Sequence, residues 1–334
     1  MQIVFFGTPQ FAVPSLERLI GHPDIDVRAV VTQPDKRRGR GTQLTPSPVK
    51  AVALAHQIPV WQPRSVKRHA ETLEKLRQTQ ADAFVVVAYG QILSQEILDM
   101  PRWGCINGHG SLLPAYRGAA PIQWCLYHGE PETGITTMLM DAGMDTGAML
   151  LKGAIAIHLL DNALELAQSL SLMAANLLVD TLYGLQNQTL EPVPQDNEAA
   201  TYAPLIRKED YQIDWTRPAI ALHNQVRGFY PNCVTRFRNQ SLKVKATIPF
   251  DGVHEATLSP NWEPVRQEVA ALLAQISDQP APGTVVGHLK NQGALIQTGE
   301  GLLLLREVQL AGKRSQSGSD FVNGMRVEPG EQMG

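Results

Sequence analysis

Long apolar runs are missing from this sequence. Nowhere do about eighteen apolar residues follow one another, so no helix able to span a membrane is expected. The opening MQIVFFGTPQ also lacks a basic stretch ahead of an apolar core. The chain is therefore expected to be cytoplasmic, with no membrane partner. Cysteine is scarce: Cys105, Cys125 and Cys233 are odd in number and far apart. That spacing excludes a disulfide framework, a redox pair and a thiolate metal cluster, so buried reduced thiols and no metal are expected. A charge excess of either sign is missing too. With a formal net charge of -3 and 18% charged residues, nothing pulls the whole chain toward nucleic acid or anionic lipid, and any RNA contact must be local. Finally, the first turn, Gly7-Thr8-Pro9, holds one glycine in place of the three that let a backbone approach a dinucleotide pyrophosphate. A dinucleotide-dependent oxidoreductase is disfavoured on that ground.

The 334 residues, 43% of them hydrophobic, suffice for two domains with sizeable cores. Gln2–Phe6 is a short apolar run followed by a turn, after which Phe11, Leu16, Leu19 and Ile20 fall mostly on one helical face. Strands are expected at 27–32, 83–88 and 104–108, and helices at 47–57 and 67–79. A long helix capped by Asp161 or Asn162 should run to about Leu185. Continuous apolar strands alternating with helices imply an α/β, Rossmann-like doubly wound, mostly parallel sheet that binds ligands beyond the carboxyl ends of its strands. Residues 1–188 are assigned to this domain. Residues 189–206 gain proline, lose helical period and read as a linker. Residues 207–334 change texture: a helix with Thr216 and Pro218 as its cap and first turn, reaching Arg227, precedes short strands at 233–237, 242–248, 283–289, 294–298 and 302–308. Turns separate these strands, which suggests a small antiparallel β-barrel of OB-like type. Residues 251–282 read as a Pro- and Ala-rich helical insertion.

Chemistry concentrates between Cys105 and Met149. Asn107 and His109 stand two residues apart at the end of a strand, so they project to the same face. An amide and an imidazole aimed together suit one carbonyl oxygen that becomes an oxyanion during acyl transfer. Asp145, in the loop Gly143-Met144-Asp145-Thr146-Gly147, is the candidate carboxylate to hold one imidazole tautomer and relay a proton. Singly, each is as ordinary as a turn asparagine, a structural histidine or a loop aspartate; spacing leaves both readings open.

The segments Asn107–Pro114, Tyr116–Ile122 and Met144–Gly147 closely resemble the folate-dependent formyltransferase family. The likeness spans nearly the whole chain, from FFGTPQFAVPSLERL to the Gly312-Lys313-Arg314 segment. It implies a one-carbon formyl transferase using 10-formyltetrahydrofolate, with Asn107, His109 and Asp145 as the catalytic trio. By the same resemblance Ser111, Leu112, Leu113 and Pro114 touch the folate. Ala88, Tyr89, Gly90, Gln91, Ile92 and Leu93 would line the pteridine pocket largely through backbone groups. The chain departs from the family in having Gly108 and Gly110 around the histidine, where members commonly carry larger residues.

The acceptor is read from charge. Lys36, Arg37, Arg38 and Arg40 form a basic loop after the second strand, which composition alone would leave as a solvated loop. No acidic residue occurs between Asp214 and Asp251, a span that holds Arg217, Arg227, Arg236, Arg238, Lys243 and Lys245 with Phe229, Tyr230 and Phe237 interleaved. Such a patch suits a sugar-phosphate backbone and stacked bases. The resemblance implies that the acceptor is initiator methionyl-tRNA, with Arg40 the foremost loop contact, and the chain is read as a monomer. A small amine acceptor, such as a glycinamide or amino sugar nucleotide, needs neither the loop nor the barrel. A noncatalytic RNA-binding module would bind tRNA without transferring formyl.

Overall fold

The computed structural model describes residues 1–37, 44–275 and 280–334. The chain falls into two compact units, one of residues 1–121, 132–155 and 167–204, the other of residues 122–131, 156–166 and 205–334.

The first unit is built on a seven-stranded sheet. Its strands are β1 (Gln2–Gly7), β2 (Asp26–Val31), β3 (Val60–Trp61), β4 (Ala83–Val87), β5 (Cys105–His109), β6 (Glu132–Leu139) and β7 (Met149–Ala156). Their order is β7-β6-β5-β4-β1-β2-β3. Strands β3 to β5 along this path are parallel, and β6 runs antiparallel to β5. The sheet is covered on both faces because successive residues of its central strands are apolar and point to opposite sides. Ile3, Phe5, Val30, Val85 and Ile106 pack with Leu16, Leu19, Val49 and Leu178 from three helices. Val4, Phe6, Ala29, Val31, Phe84 and Cys105 pack on the other side with Leu76, Ile97 and Leu98. Each fully buried leucine or phenylalanine contributes about 1.5–3 kcal/mol. The strand order reverses between β1 and β4, so the loops after Gly7 and Val87 open at a topological switch point.

Helix ends follow the expected signals. Ser47 caps Pro48–Ala55, accepting from Lys50 N at 3.1 Å. Asn162 caps Ala163–Gln186, accepting from Leu164 N at 3.0 Å and Glu165 N at 3.1 Å, while Glu165 reaches back to Asn162 N. Cys105, Cys125 and Cys233 are free and buried, and burial pushes the Cys105 and Cys233 thiols up to about 12. Among the described residues no helix is long and apolar enough to cross a membrane.

The second unit carries an antiparallel sheet of β8 (Val234–Phe237), β9 (Gln240–Phe250), β10 (Val285–Leu289), β11 (Gly293–Gln297) and β12 (Leu302–Leu310), in the order β8-β9-β12-β11-β10. Met333 bridges Phe237 and Gln332 bridges Thr284, so the outer strands meet through the chain's last residues. The Leu302–Leu305 run is buried on both faces: Leu303 and Leu305 face Phe229, Phe237 and Phe321, whereas Leu302 and Leu304 face Ile248, Leu258 and Val269. The 251–282 stretch thereby acquires a role, since its helix Glu263–Leu273 lays Val269 over that second face.

Candidate active site

Strand β5 delivers Asn107 and His109 to the end of the sheet, and the β6–β7 hairpin loop delivers Asp145. Asn107 Nδ2 lies 3.4 Å from Asp145 Oδ1, and His109 Nδ1 lies 3.6 Å from Asp145 Oδ2. The trio expected from sequence therefore converges on one carboxylate. The imidazole is 6% exposed and the carboxylate 18%, so the pair is shielded but reachable. His109 Nε2 stands 2.9 Å from the main-chain oxygen of Tyr116. A carbonyl only accepts, so Nε2 carries a proton and donates it there, leaving Nδ1 to face Asp145. Asp145 Oδ2 also accepts from Gly118 N at 2.9 Å.

Asp145 has φ +54°, a left-handed conformation that is uncommon for a residue with a side chain. Gly147 closes the same loop against β6: a Cβ there would stand 1.8 Å from Leu139 O, so only glycine fits. Gly108, by contrast, has room, with the nearest atoms to an added Cβ being Leu178 Cδ1 at 3.6 Å and Val87 Cγ2 at 3.8 Å.

The segment after His109 is tied down by short polar contacts. Ser111 Oγ donates to Ala115 O at 2.6 Å, Leu113 N donates to Thr136 Oγ1 at 3.0 Å, and Lys152 Nζ donates to Leu113 O at 2.5 Å. Ser111 and Leu113 are buried, Leu112 and Pro114 partly so, and the Leu113-Pro114 peptide is cis.

Residues Ala88–Leu93 leave β4 at the switch point. Tyr89 and Leu93 turn into the core, where Tyr89 meets the Phe6 ring edge-on at 5.4 Å. Their side chains anchor the loop, and those facing outward are Ala88, Gly90 and Ile92, the last 74% exposed. Positive φ at Ala88 (+46°) and Gly90 (+83°) turns the backbone between them. Small residues beside one exposed aliphatic side chain suit a flat ring that is recognised by main-chain groups. Two polar side chains hold this loop in place: Thr8, not singled out from sequence, donates from Oγ1 to Tyr89 O at 3.0 Å, and Gln91 Oε1 accepts from Val66 N at 2.8 Å. An isolated threonine carries no periodic signal, so nothing in the sequence marks Thr8.

The basic run is described only in part. Lys36 and Arg37 form a two-residue strand paired antiparallel with Leu44 and Thr45, and Lys36 is exposed. Arg38 and Arg40 lie outside the described residues. In the second unit the expected basic and aromatic patch is reduced. Arg227 is buried, donates to Asn224 Oδ1 at 2.8 Å and His158 O at 2.9 Å, and is lowered to about 10 by burial. Arg238 pairs with Glu331 at 2.6 Å and Lys245 with Glu307 at 2.5 Å. Phe237 is a core residue because alternation along β8 places its ring inward and the Arg236 charge outward, and Phe229, at the end of the helix Ala219–Gly228, is buried in the same core. Among the described residues, no three His, Cys, Asp or Glu side chains are grouped to hold a metal ion.

Comparison with known proteins defines the class. Residues 1–182 match the formyl transferase family and residues 205–326 match the formyl transferase C-terminal domain, so the chain belongs to the formyl transferase family. Within it, full-length relatives are methionyl-tRNA formyltransferases. That of Trichormus variabilis is 64% identical over 334 residues, spanning 100% of this chain and 99% of that protein. That of Gloeothece citriformis is 63% identical over 332 residues, spanning 99% of each. Among solved structures, an N-formyltransferase from Helicobacter canadensis in complex with folinic acid and dTDP-3-aminofucose shares the fold. Its TM-score is 0.60 at 18% identity, covering 91% of this chain and 98% of that one. Methionyl-tRNA formyltransferase from Clostridium thermocellum has a TM-score of 0.52 at 15% identity, covering 75% and 95%.

Proposed function

We propose that the chain transfers the formyl group of 10-formyltetrahydrofolate to the α-amino group of methionyl initiator tRNA, with Asn107, His109 and Asp145 as its catalytic groups. The observation that carries the reading is the Asp145 carboxylate, placed 3.4 Å from the Asn107 amide and 3.6 Å from the His109 ring. The acceptor is supported by the full-length relatives at 63–64% identity, and the donor by membership of the formyl transferase family.

A free α-amino group titrates at about 7.7–8.0, so a neutral fraction exists at pH 7 without a strong base. The amine nitrogen attacks the formyl carbon and the carbonyl electrons move onto oxygen. That oxyanion meets the Asn107 Nδ2 hydrogen left free by Asp145, and the His109 ring beside it. The proton released by the amine is taken up between Asp145 Oδ2 and His109 Nδ1, which stand 3.6 Å apart and both accept until it arrives. It reaches N10 of the folate as the carbon–N10 bond breaks. Formylmethionyl-tRNA and tetrahydrofolate are the products, and no covalent enzyme intermediate is required. Ala88–Leu93 and Ser111–Pro114 are assigned to the folate, and Lys36, Arg37, Arg38 and Arg40 to the tRNA backbone.

The test mixes the protein with labelled 10-formyltetrahydrofolate and either methionyl initiator tRNA or an amino sugar nucleotide. Label is expected on the tRNA, with a steep loss of use as salt rises; label on the sugar alone overturns the acceptor. His109→Ala and Asp145→Asn should each lower kcat on the order of 10²–10⁴-fold with unchanged melting. Near-wild-type turnover by either would refute the catalytic assignment.

A further inference from the structure

The stretch between the last long helix of the first unit and the second unit has no periodicity, yet it is bonded to the site at several points. Val193 and Met149 exchange main-chain hydrogen bonds at 2.8 Å each way. Arg117 N donates to Thr201 O at 2.9 Å and Ala119 N to Ala203 O at 2.8 Å. Gly118 permits this approach, because a Cβ there would lie 2.6 Å from Ala203 O. Thr201 Oγ1 accepts from Tyr116 N at 2.8 Å, and Tyr116 is the residue whose carbonyl holds His109 Nε2.

Gln195 sits in the middle of this stretch and uses every hydrogen-bonding atom of its side chain. Its Nε2 donates to the main-chain oxygens of Asp145 and Gly147, at 2.8 Å each. Its Oε1 accepts from Arg117 Nε at 2.9 Å. Arg117 is 2% exposed and its Nη2 donates to Asn197 Oδ1 at 2.9 Å, so the guanidinium is fixed and fixes Gln195 in turn. A left-handed, non-glycine residue such as Asp145 carries about 1–3 kcal/mol of strain and persists only where its surroundings over-determine it. The two Gln195 bonds grip that strained loop on both sides of Thr146.

We infer that Gln195 is a positioning residue for the reaction: its amide N–H groups hold the Asp145 loop so that the carboxylate meets Asn107 and His109, with buried Arg117 orienting the amide. The inference rests on the reading of Asp145 as a catalytic group and adds a residue outside the trio. A displacement of about 1 Å at a reacting group costs roughly 10²-fold in rate, so the effect should fall on turnover.

Gln195→Glu separates the two halves of the contact. It keeps size and the acceptor for Arg117 but removes the donors to Asp145 and Gly147. Its kcat is expected to fall roughly 10–100-fold, with KM for tRNA and for folate within about two-fold. The pH–rate limb set by the Asp145–His109 pair should move with it. Gln195→Met, which loses both halves, should fall at least as far, and it serves as the second variant if the glutamate form folds poorly. Turnover within about two-fold of wild type in Gln195→Glu, or a loss carried by KM or melting with an unmoved pH limb, overturns the inference. Asp145→Asn is run alongside: if it is inactive while Gln195→Glu is normal, the positioning claim alone fails, and if it is active, the catalytic reading fails.

Discussion

Gly108 and Gly147 border the same site and respond differently to a methyl group. An added Cβ at Gly108 makes ordinary contacts with Leu178 and Val87, whereas one at Gly147 would strike the Leu139 carbonyl at 1.8 Å. Gly108→Ala should therefore leave kcat unchanged and stabilise the fold by about 0.4–1 kcal/mol, chiefly by restricting the unfolded chain. Gly147→Ala must shift the backbone that Gln195 grips, and with it Asp145. A melting curve and a kcat on each variant check this; a damaged Gly108→Ala enzyme would show that strand β5 needs the glycine after all. The departure from the family at Gly108 thus leaves the placement of His109 intact, since the ring is fixed by the Tyr116 carbonyl and faces Asp145.

At the level of elements, the Asn162–Glu165 pair starts the helix Ala163–Gln186. Asn162→Ala removes the acceptor for two main-chain N–H groups and should cost about 1 kcal/mol, read as a drop in denaturation midpoint without loss of folate binding; no shift would mean solvent satisfies that end equally well. This cap was legible in the sequence, as were β1, β4 and β5, because strands covered on both faces become continuous apolar runs bounded by turns. So was the Asn107–His109 pair, since alternate strand residues share a face. The 189–206 stretch was not legible: it earns its order from main-chain partners at Thr201 and Ala203 and from one glutamine, none of which leaves a period. The aromatic-basic pattern from Arg217 to Lys245 misled for the opposite reason. Alternation was real along β8, but it sorted Phe237 into the core, where the helix end also places Phe229, and Arg238 and Lys245 have carboxylate partners.

For the molecule as a whole, a buried histidine links acidity to stability. In the second unit His223 accepts from Thr247 Oγ1 at 3.0 Å and donates to Leu159 O at 2.7 Å, so its neutral form is fully satisfied. Burial first, and then the charge of Arg227, pushes it down to about 3. Unfolded, the ring titrates near about 6.5. Between those values only the unfolded chain takes up the proton. The contribution is thus complete above about pH 6.5 and declines as pH falls toward about 3, by up to about 1.4 kcal/mol per pH unit. His223→Gln should flatten the acid limb of the stability curve between about pH 4 and about pH 6; a limb as steep as wild type would assign it elsewhere. The order of the chain could not have been guessed from local pattern, for the backbone passes between the two units five times. Residues 122–131 pack where Trp124 and Tyr127 meet the Phe229 ring at 5.2 and 5.1 Å. Those indole and phenol rings are synthesised some hundred residues before the ring that shelters them. A nascent polypeptide on the ribosome must therefore carry a sticky, unfinished surface until its later half emerges, and that interval is when a chaperone would have something to hold.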